Sequence, residues 1–98
     1  MKDLLDVHTH TIASGHAYST LREMIEAAKR RGLSLIGISE HRPRMAGSCP
    51  EIYFCNFKVI RRDAYGIDLR MGAELNIIDY TGSTDLSAQR LRNLDYAI

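Results

Sequence analysis

Residues 20–41 read TLREMIEAAKRRGLSLIGISEH, a helix with both its caps followed at once by a strand. Thr20-Leu21-Arg22-Glu23 fits the S/T-x-x-E capping box. In that box, hydroxyl and carboxylate each satisfy a backbone N–H that the first helical turn leaves over. Leu21, Met24, Ile25 and Ala28 recur at i, i+3, i+4 and i+7 and make one apolar stripe. Lys29, Arg30 and Arg31 fill the last turn, where cations favour the negative helix end, and Gly32 predicts a left-handed cap. Leu33 to Ile38 is nearly all apolar, as expected of a strand covered on both faces. Ser39-Glu40-His41 follows at its carboxyl end.

Similar units flank this one. Leu4 to Val7 predicts a short first strand, and a polar, His-rich loop runs from His8 to Ser19. Arg42 to Pro50 reads as loop, marked by Pro43, Gly47 and Pro50. Tyr53, Phe57 and Ile60 fit a short second helix, and Asp63 to Gly66 a turn. Ile67 to Ala73 predicts a third strand with Ile67, Leu69, Met71 and Ala73 inward and Asp68 and Arg70 outward. Glu74 lies at its carboxyl end. Leu75 to Asp79 continues extended, Thr81 to Asp85 turns, Ser87 to Arg92 forms a short helix, and Asp95 to Ile98 begins a fourth strand. Strands alternating with helical patterns predict an α/β fold with a parallel sheet. No capping element follows Tyr96-Ala97-Ile98, so the chain reads as a piece of a larger α/β fold with raw strand edges.

Ninety-eight residues allow one domain at most. Hydrophobic residues at 45% and charged residues at 26% exclude a collagen-like, low-complexity or highly charged disordered chain. Thirteen Lys+Arg against 12 Asp+Glu leave a net charge of +1, which gives no long-range pull on nucleic acid or anionic lipid. No apolar leader segment follows Met1, and no apolar run approaches the ~20 residues that span a bilayer. No membrane association is therefore expected. Cys49 and Cys55 are too few for a disulfide scaffold, so both are expected as thiols that pack, in a reducing cytoplasm.

Polar side chains able to bind metal gather at the carboxyl ends of three strands, where α/β folds with parallel strands place their active sites. His8-Thr9-His10 is an H-x-H pair. If extended, it turns both imidazoles to one face with Cα atoms ~6.5–7 Å apart, so that they can converge on one metal. The alternative is two loop histidines facing water. His16 adds a third imidazole, either as a ligand or as a turn residue. Glu40-His41 ends a buried strand, where a charge is costly unless paired or coordinated; otherwise both start the loop and face water. Arg42 and Arg44 could pair with Glu40 or bind phosphate through their forked donors, although a solvated loop is the simpler reading. Glu74 could bridge two metal ions or make a salt bridge to a neighbouring Arg. Gly66, Gly72 and Gly82 form no nucleotide-binding pattern, and no G-x-S-x-G elbow exists.

Asp6-Val7-His8-Thr9-His10-Thr11 with Ala13-Ser14-Gly15-His16-Ala17-Tyr18-Ser19-Thr20, then Ile38-Ser39-Glu40-His41, then Gly72-Ala73-Glu74-Leu75-Asn76, resemble in order the three N-terminal motifs of the PHP (polymerase and histidinol phosphatase) family. The likeness is to its YcdX-like subgroup of bacterial phosphatases. The resemblance implies the N-terminal part of a distorted (β/α)7 barrel with parallel strands, residues 1–98 being a single partial PHP domain whose C-terminal part is absent. It implies up to three divalent ions, zinc or manganese. His8 and His10 hold one ion, Glu74 bridges to a second, and His16 and His41 ligate the remaining ions. It implies hydrolysis of small phosphate esters by a metal-activated water, with His8, His10 and Glu74 as the catalytic group. The family's later ligands are not present, so the isolated chain is expected to have little activity and to self-associate through its strand edges. The alternative is a structural or proofreading module of a DNA-polymerase-type assembly. The second motif departs from the family in carrying Glu40 before its histidine, where Asp is usual, and Arg42 after it, where Gly is usual.

Overall fold

The protein is described by a computed structural model covering residues 4–42, 47–77, 79–84, 86 and 91–98. Strand β1 is Leu5–Thr9, and a 3-10 turn follows at Ile12–Ser14. Helix α1 is Leu21–Arg30 and strand β2 is Leu35–His41. The short helix α2, Glu51–Cys55, runs into a 3-10 turn at Asn56–Val59. Strand β3 is Asp68–Glu74 and β4 is Tyr96–Ala97. The four strands form one parallel sheet in the order β1-β2-β3-β4. This is the predicted α/β arrangement. The helix foreseen at Ser87–Arg92 falls mostly on residues outside those described.

Helix α1 begins as the capping box requires. The Thr20 hydroxyl accepts from the Glu23 N–H at 3.3 Å, and the Glu23 carboxylate accepts from the Thr20 N–H at 2.9 Å. It ends at Gly32, which is left-handed with φ +76°. The stripe buries Ile25 and Ala28 against Ile36, Ile38, Leu69, Met71 and Ala73 of the sheet, with Phe54, Phe57 and Cys49 completing the core. The alternation of β3 is as expected, with Leu69, Met71 and Ala73 buried and Asp68 and Arg70 exposed.

Two strands run further than predicted. Strand β2 extends through Glu40 and His41, because β3 pairs with it in unbroken register from Leu35↔Asp68 to His41↔Glu74. Strand β1 extends to Thr9, so His8 lies within the strand. Asp6 pairs with Ile36 but Thr9 with Ile38, three residues against two, and the register shift between them has the form of a β-bulge. The Asp6 carboxylate accepts from the His8 N–H at 3.1 Å and fastens this irregularity locally.

The sheet face opposite α1 carries Gly37 and Gly72, and the ring of Tyr96 lies across them. A Cβ on Gly37 would sit 2.5 Å from the Tyr96 hydroxyl, and one on Gly72 2.7 Å from its ring. The hydroxyl donates to the Val7 carbonyl at 2.7 Å, so one side chain ties β4 to β1 over the two strands between. This ring explains why β2 is buried on both faces. No described helix is long and apolar enough to cross a membrane.

Candidate metal centre

The register of β2 on β3 makes His41 and Glu74 direct neighbours, and the extended end of β1 brings His8 and His10 to the same rim. Three imidazole Nε2 atoms face one carboxylate oxygen. Glu74 Oε2 lies 3.1 Å from His8, 3.2 Å from His10 and 3.5 Å from His41. His10 and His41 stack with ring centroids 4.4 Å apart and planes 1° from parallel. His16 leans on the pair, 4.8 Å from the His41 ring and 5.8 Å from that of His10. His8 stands at the exposed lip, 56% accessible, whereas His10 and His41 are mostly covered, at 19% and 14%. The five residues singled out in the sequence therefore share one site.

Its electrostatics disfavour charge on His10 and favour an anionic Glu74. Burial lowers the pKa of His10, and the neighbouring His41 lowers it further. For Glu74, burial alone would raise the carboxyl pKa. The hydrogen bond to His8 and the charges of His41, His8 and His10 outweigh this and hold it below the usual range.

This donor set fits a divalent ion. A carboxylate oxygen accepts through two lone pairs, yet three ring nitrogens converge on Glu74 Oε2. Two stacked imidazoles resist becoming two stacked cations. A cation between the ring nitrogens and the carboxylate would draw on all these lone pairs and relieve the crowding. The ligand atoms of His8, His10 and Glu74 lie within 4.8 Å of one another. A tetrahedral site with bonds of about 2.1 Å has edges of about 3.4 Å, so modest side-chain closure suffices.

Two readings of the second motif are corrected. Glu40 neither faces water nor pairs with Arg42. It is fully buried on the helix side of the sheet. One oxygen, Oε1, accepts from the Thr11 N–H at 2.7 Å and the Ser14 hydroxyl at 2.8 Å. The other accepts from the Thr11 hydroxyl and, at 3.0 Å, from the Tyr53 hydroxyl. Burial and the Glu40 charge push the Tyr53 pKa well above its ordinary value. Arg42 is not a solvated loop residue. It is 3% exposed, with its guanidinium 4.9 Å from the centre of the Phe54 ring. Arg44 lies outside the described residues. Cys49 packs in the core as expected, and the two cysteines are not bridged.

Thr11, Ser14 and Tyr53 were not singled out from the sequence. The only signal for the first two was their three-residue spacing within the His-rich loop, which places Thr11 as the side-chain cap of the 3-10 turn and Ser14 at its end.

A family model of the PHP domain matches residues 6–98. The chain belongs to the PHP domain family. Its sheet of four parallel strands is the corresponding part of that family's TIM-like barrel. Curated relatives match all or nearly all of this PHP chain. A protein of Caldicellulosiruptor saccharolyticus named "Probable phosphatase" is 51% identical over 94 residues, 96% of this chain and 39% of the relative. Probable phosphatases of Clostridium novyi and Acetivibrio thermocellus are 46% and 45% identical over all 98 residues, covering 40% and 41% of those proteins. The chain thus spans about two fifths of the length of the curated relatives it matches.

Proposed function

We propose that this PHP chain is the ligand-bearing part of a metal-dependent phosphoesterase acting on small phosphate esters. The observation that carries the reading is the convergence of three Nε2 atoms on Glu74 Oε2. His8, His10 and Glu74 would hold divalent ions, with His16 and His41 as further ligands. An imidazole-rich set with one carboxylate suits zinc, and manganese is the alternative. Divalent ions supply Lewis-acid charge to phosphoryl transfer and make water a competent nucleophile near neutral pH.

The chain's own residues prepare the site. The covered His10–His41 stack keeps bulk water from the floor. His8 marks the open side by which a phosphate ester enters. Substrate charge is met by the ions and imidazoles. The names of the relatives favour catalysis over a proofreading-module role. We infer that residues 1–98 are a single partial PHP domain in the cytoplasm, where Cys49 and Cys55 stay reduced. Residues from the remaining three fifths of a relative's length would complete the site. Alone, the chain turns over slowly, since misplacement of a reacting group by ~1 Å can cost ~10²-fold in rate.

Elemental analysis of the purified chain tests the reading. Wild type is expected to carry zinc or manganese, and His8→Ala and Glu74→Ala to lose most of it. Full metal stoichiometry in both variants would overturn it.

A further inference from the structure

We propose that Tyr96 is a positioning residue for the candidate metal centre: its hydroxyl fixes the irregular end of β1 and so holds His8 and His10 against Glu74. The candidate ligands do not stand on equally firm backbone. His41 and Glu74 sit opposite each other at the end of an unbroken register between the two inner strands. His8 and His10 come from β1 and its end, and β1 lies at the sheet edge, pairing with β2 alone among the described residues. Val7 and His8 also fall in the gap of the register, between the pairs Asp6↔Ile36 and Thr9↔Ile38. A ladder that shifts leaves backbone groups to be met by side chains. Three such bonds are present here. The Asp6 carboxylate accepts from the His8 N–H at 3.1 Å, the Thr9 hydroxyl donates to the Gly37 carbonyl at 2.7 Å, and the Tyr96 hydroxyl donates to the Val7 carbonyl at 2.7 Å. The first two side chains belong to β1 itself. Of the three, Tyr96 alone ties the irregular stretch to the far edge of the sheet.

The length of the span ties this bond to the curvature of the sheet. Strands β4 and β1 are three strand spacings apart, about 14 Å in a flat sheet and farther than a tyrosine reaches. The contact exists because the sheet curls toward this face and because Gly37 and Gly72 leave the ring room to lie across it. Burial pushes the Tyr96 hydroxyl up to about 12, so it keeps the proton it donates. Val7 directly precedes His8, so a displacement of its carbonyl is carried to His8 through one rigid peptide plane. The margin for such movement is small. Glu74 Oε2 lies 3.1 Å from His8 Nε2 and 3.2 Å from His10 Nε2, and a metal site holds its ligand distances to within ~0.2 Å. The inference rests on the metal-holding reading above only for its effect on affinity; the placement of β1 belongs to the metal-free chain.

Tyr96→Phe keeps the ring and removes only the hydroxyl. The test follows amide hydrogen exchange by NMR in the metal-free 98-residue chain, then zinc binding by calorimetry. Ile25→Val, a change in the buried stripe of α1, serves as the control for a merely structural loss. In the unmutated chain, Overhauser contacts are expected between the Tyr96 ring and Val7. In Tyr96→Phe, exchange at residues 7–9 is expected to quicken relative to Ile38 and Met71 of the inner strands, and zinc to bind roughly 10-fold more weakly. Ile25→Val is expected to leave zinc affinity unchanged. Absence of the Tyr96–Val7 contact in the unmutated chain overturns the proposal whether or not the variant folds. A folded Tyr96→Phe with unchanged exchange at the end of β1 overturns it as well. So does a zinc affinity that is unchanged, or that falls no further than in Ile25→Val. A loosened β1 in Tyr96→Phe, with no zinc bound even by the unmutated chain, would overturn the metal-holding reading and leave the placement of His8 standing.

Discussion

Replacing Glu40 separates acceptor geometry from charge as the cause of the buried network's strength. Four donors meet its carboxylate. Three are hydroxyls that can turn to other partners, and one, the Thr11 N–H, is fixed. Glu40→Ala strands that N–H, at about 1–3 kcal/mol, and weakens the three hydroxyl contacts, while relieving the carboxylate of its desolvation. The expected net loss is about 3 kcal/mol, near the upper end for a single substitution. Glu40→Gln behaves differently. Its carbonyl takes the place of Oε1, serving Thr11 and Ser14. Its amide takes the place of Oε2 and donates to the Thr11 and Tyr53 hydroxyls, which turn to accept. Only the charge assistance is lost, about 1 kcal/mol. For a domain of this size 1 kcal/mol corresponds to roughly 4–8 °C in Tm, so about 12–24 °C separates Glu40→Ala from the parent chain and about 4–8 °C separates Glu40→Gln. Urea melts followed by circular dichroism measure both losses, with equal slopes required for comparison. If Glu40→Gln costs as much as Glu40→Ala, the charge itself holds the loop and the reasoning from acceptors is refuted.

Further outcomes follow from other sites. Gly72→Ala places a Cβ 2.7 Å from the Tyr96 ring and 2.6 Å from its carbonyl oxygen, and is expected to cost about 1–3 kcal/mol in the same melts. Acidification should destabilise the metal-free chain in two ranges. The pKa of His10 is lowered on folding, so the folded state resists its protonation and stability falls as pH drops below the ordinary value near 6.5. The pKa of Glu74 is also lowered, so its contribution is present above about 4.5 and lost as pH falls through its folded value. A midpoint that rises on acidification from pH 7 would contradict both signs. Cys49 is 1% exposed and burial pushes its thiol up to about 12, so iodoacetamide should modify Cys55 in the native chain and Cys49 only after unfolding, as read by peptide mass. The chain is expected to associate through β1 and β4, where Leu5 of β1 and Ile98 just beyond β4 are 58% and 43% exposed; a stable monomer in light scattering at high concentration would remove that idea.

The legible parts of the fold were those written in local chemistry. The capping box at Thr20 and Glu23, the stripe through Ile25 and Ala28 and the alternation of β3 each depend on residues a few positions apart, and each took its predicted form. The strand ends were misjudged because polarity suggested a loop at Glu40 and His41, whereas pairing with Ala73 and Glu74 keeps them in the ladder. The gathering of His8, His10, His16, His41 and Glu74 was foreseeable once three parallel strands were recognised, since all lie at or just beyond one end of the sheet. Glu40 was harder to read. Its partners come from 13 to 29 residues away and carry no periodic mark. Arg42 was misread for the same reason, as its stacking on Phe54 is a tertiary fact. The irregular pairing before His8 has no signature beyond Asp6, an ordinary acidic residue in the sequence.

Tyr96 and the two glycines beneath it amount to a single volume divided among three positions. Since a methyl group at either glycine would collide with the phenol, enlargement at one place demands reduction at another. Among proteins built on this plan, those with alanine or anything bulkier where Gly37 or Gly72 stands should carry a smaller residue than tyrosine where Tyr96 stands. The trade should be visible as paired change across distant segments of the chain.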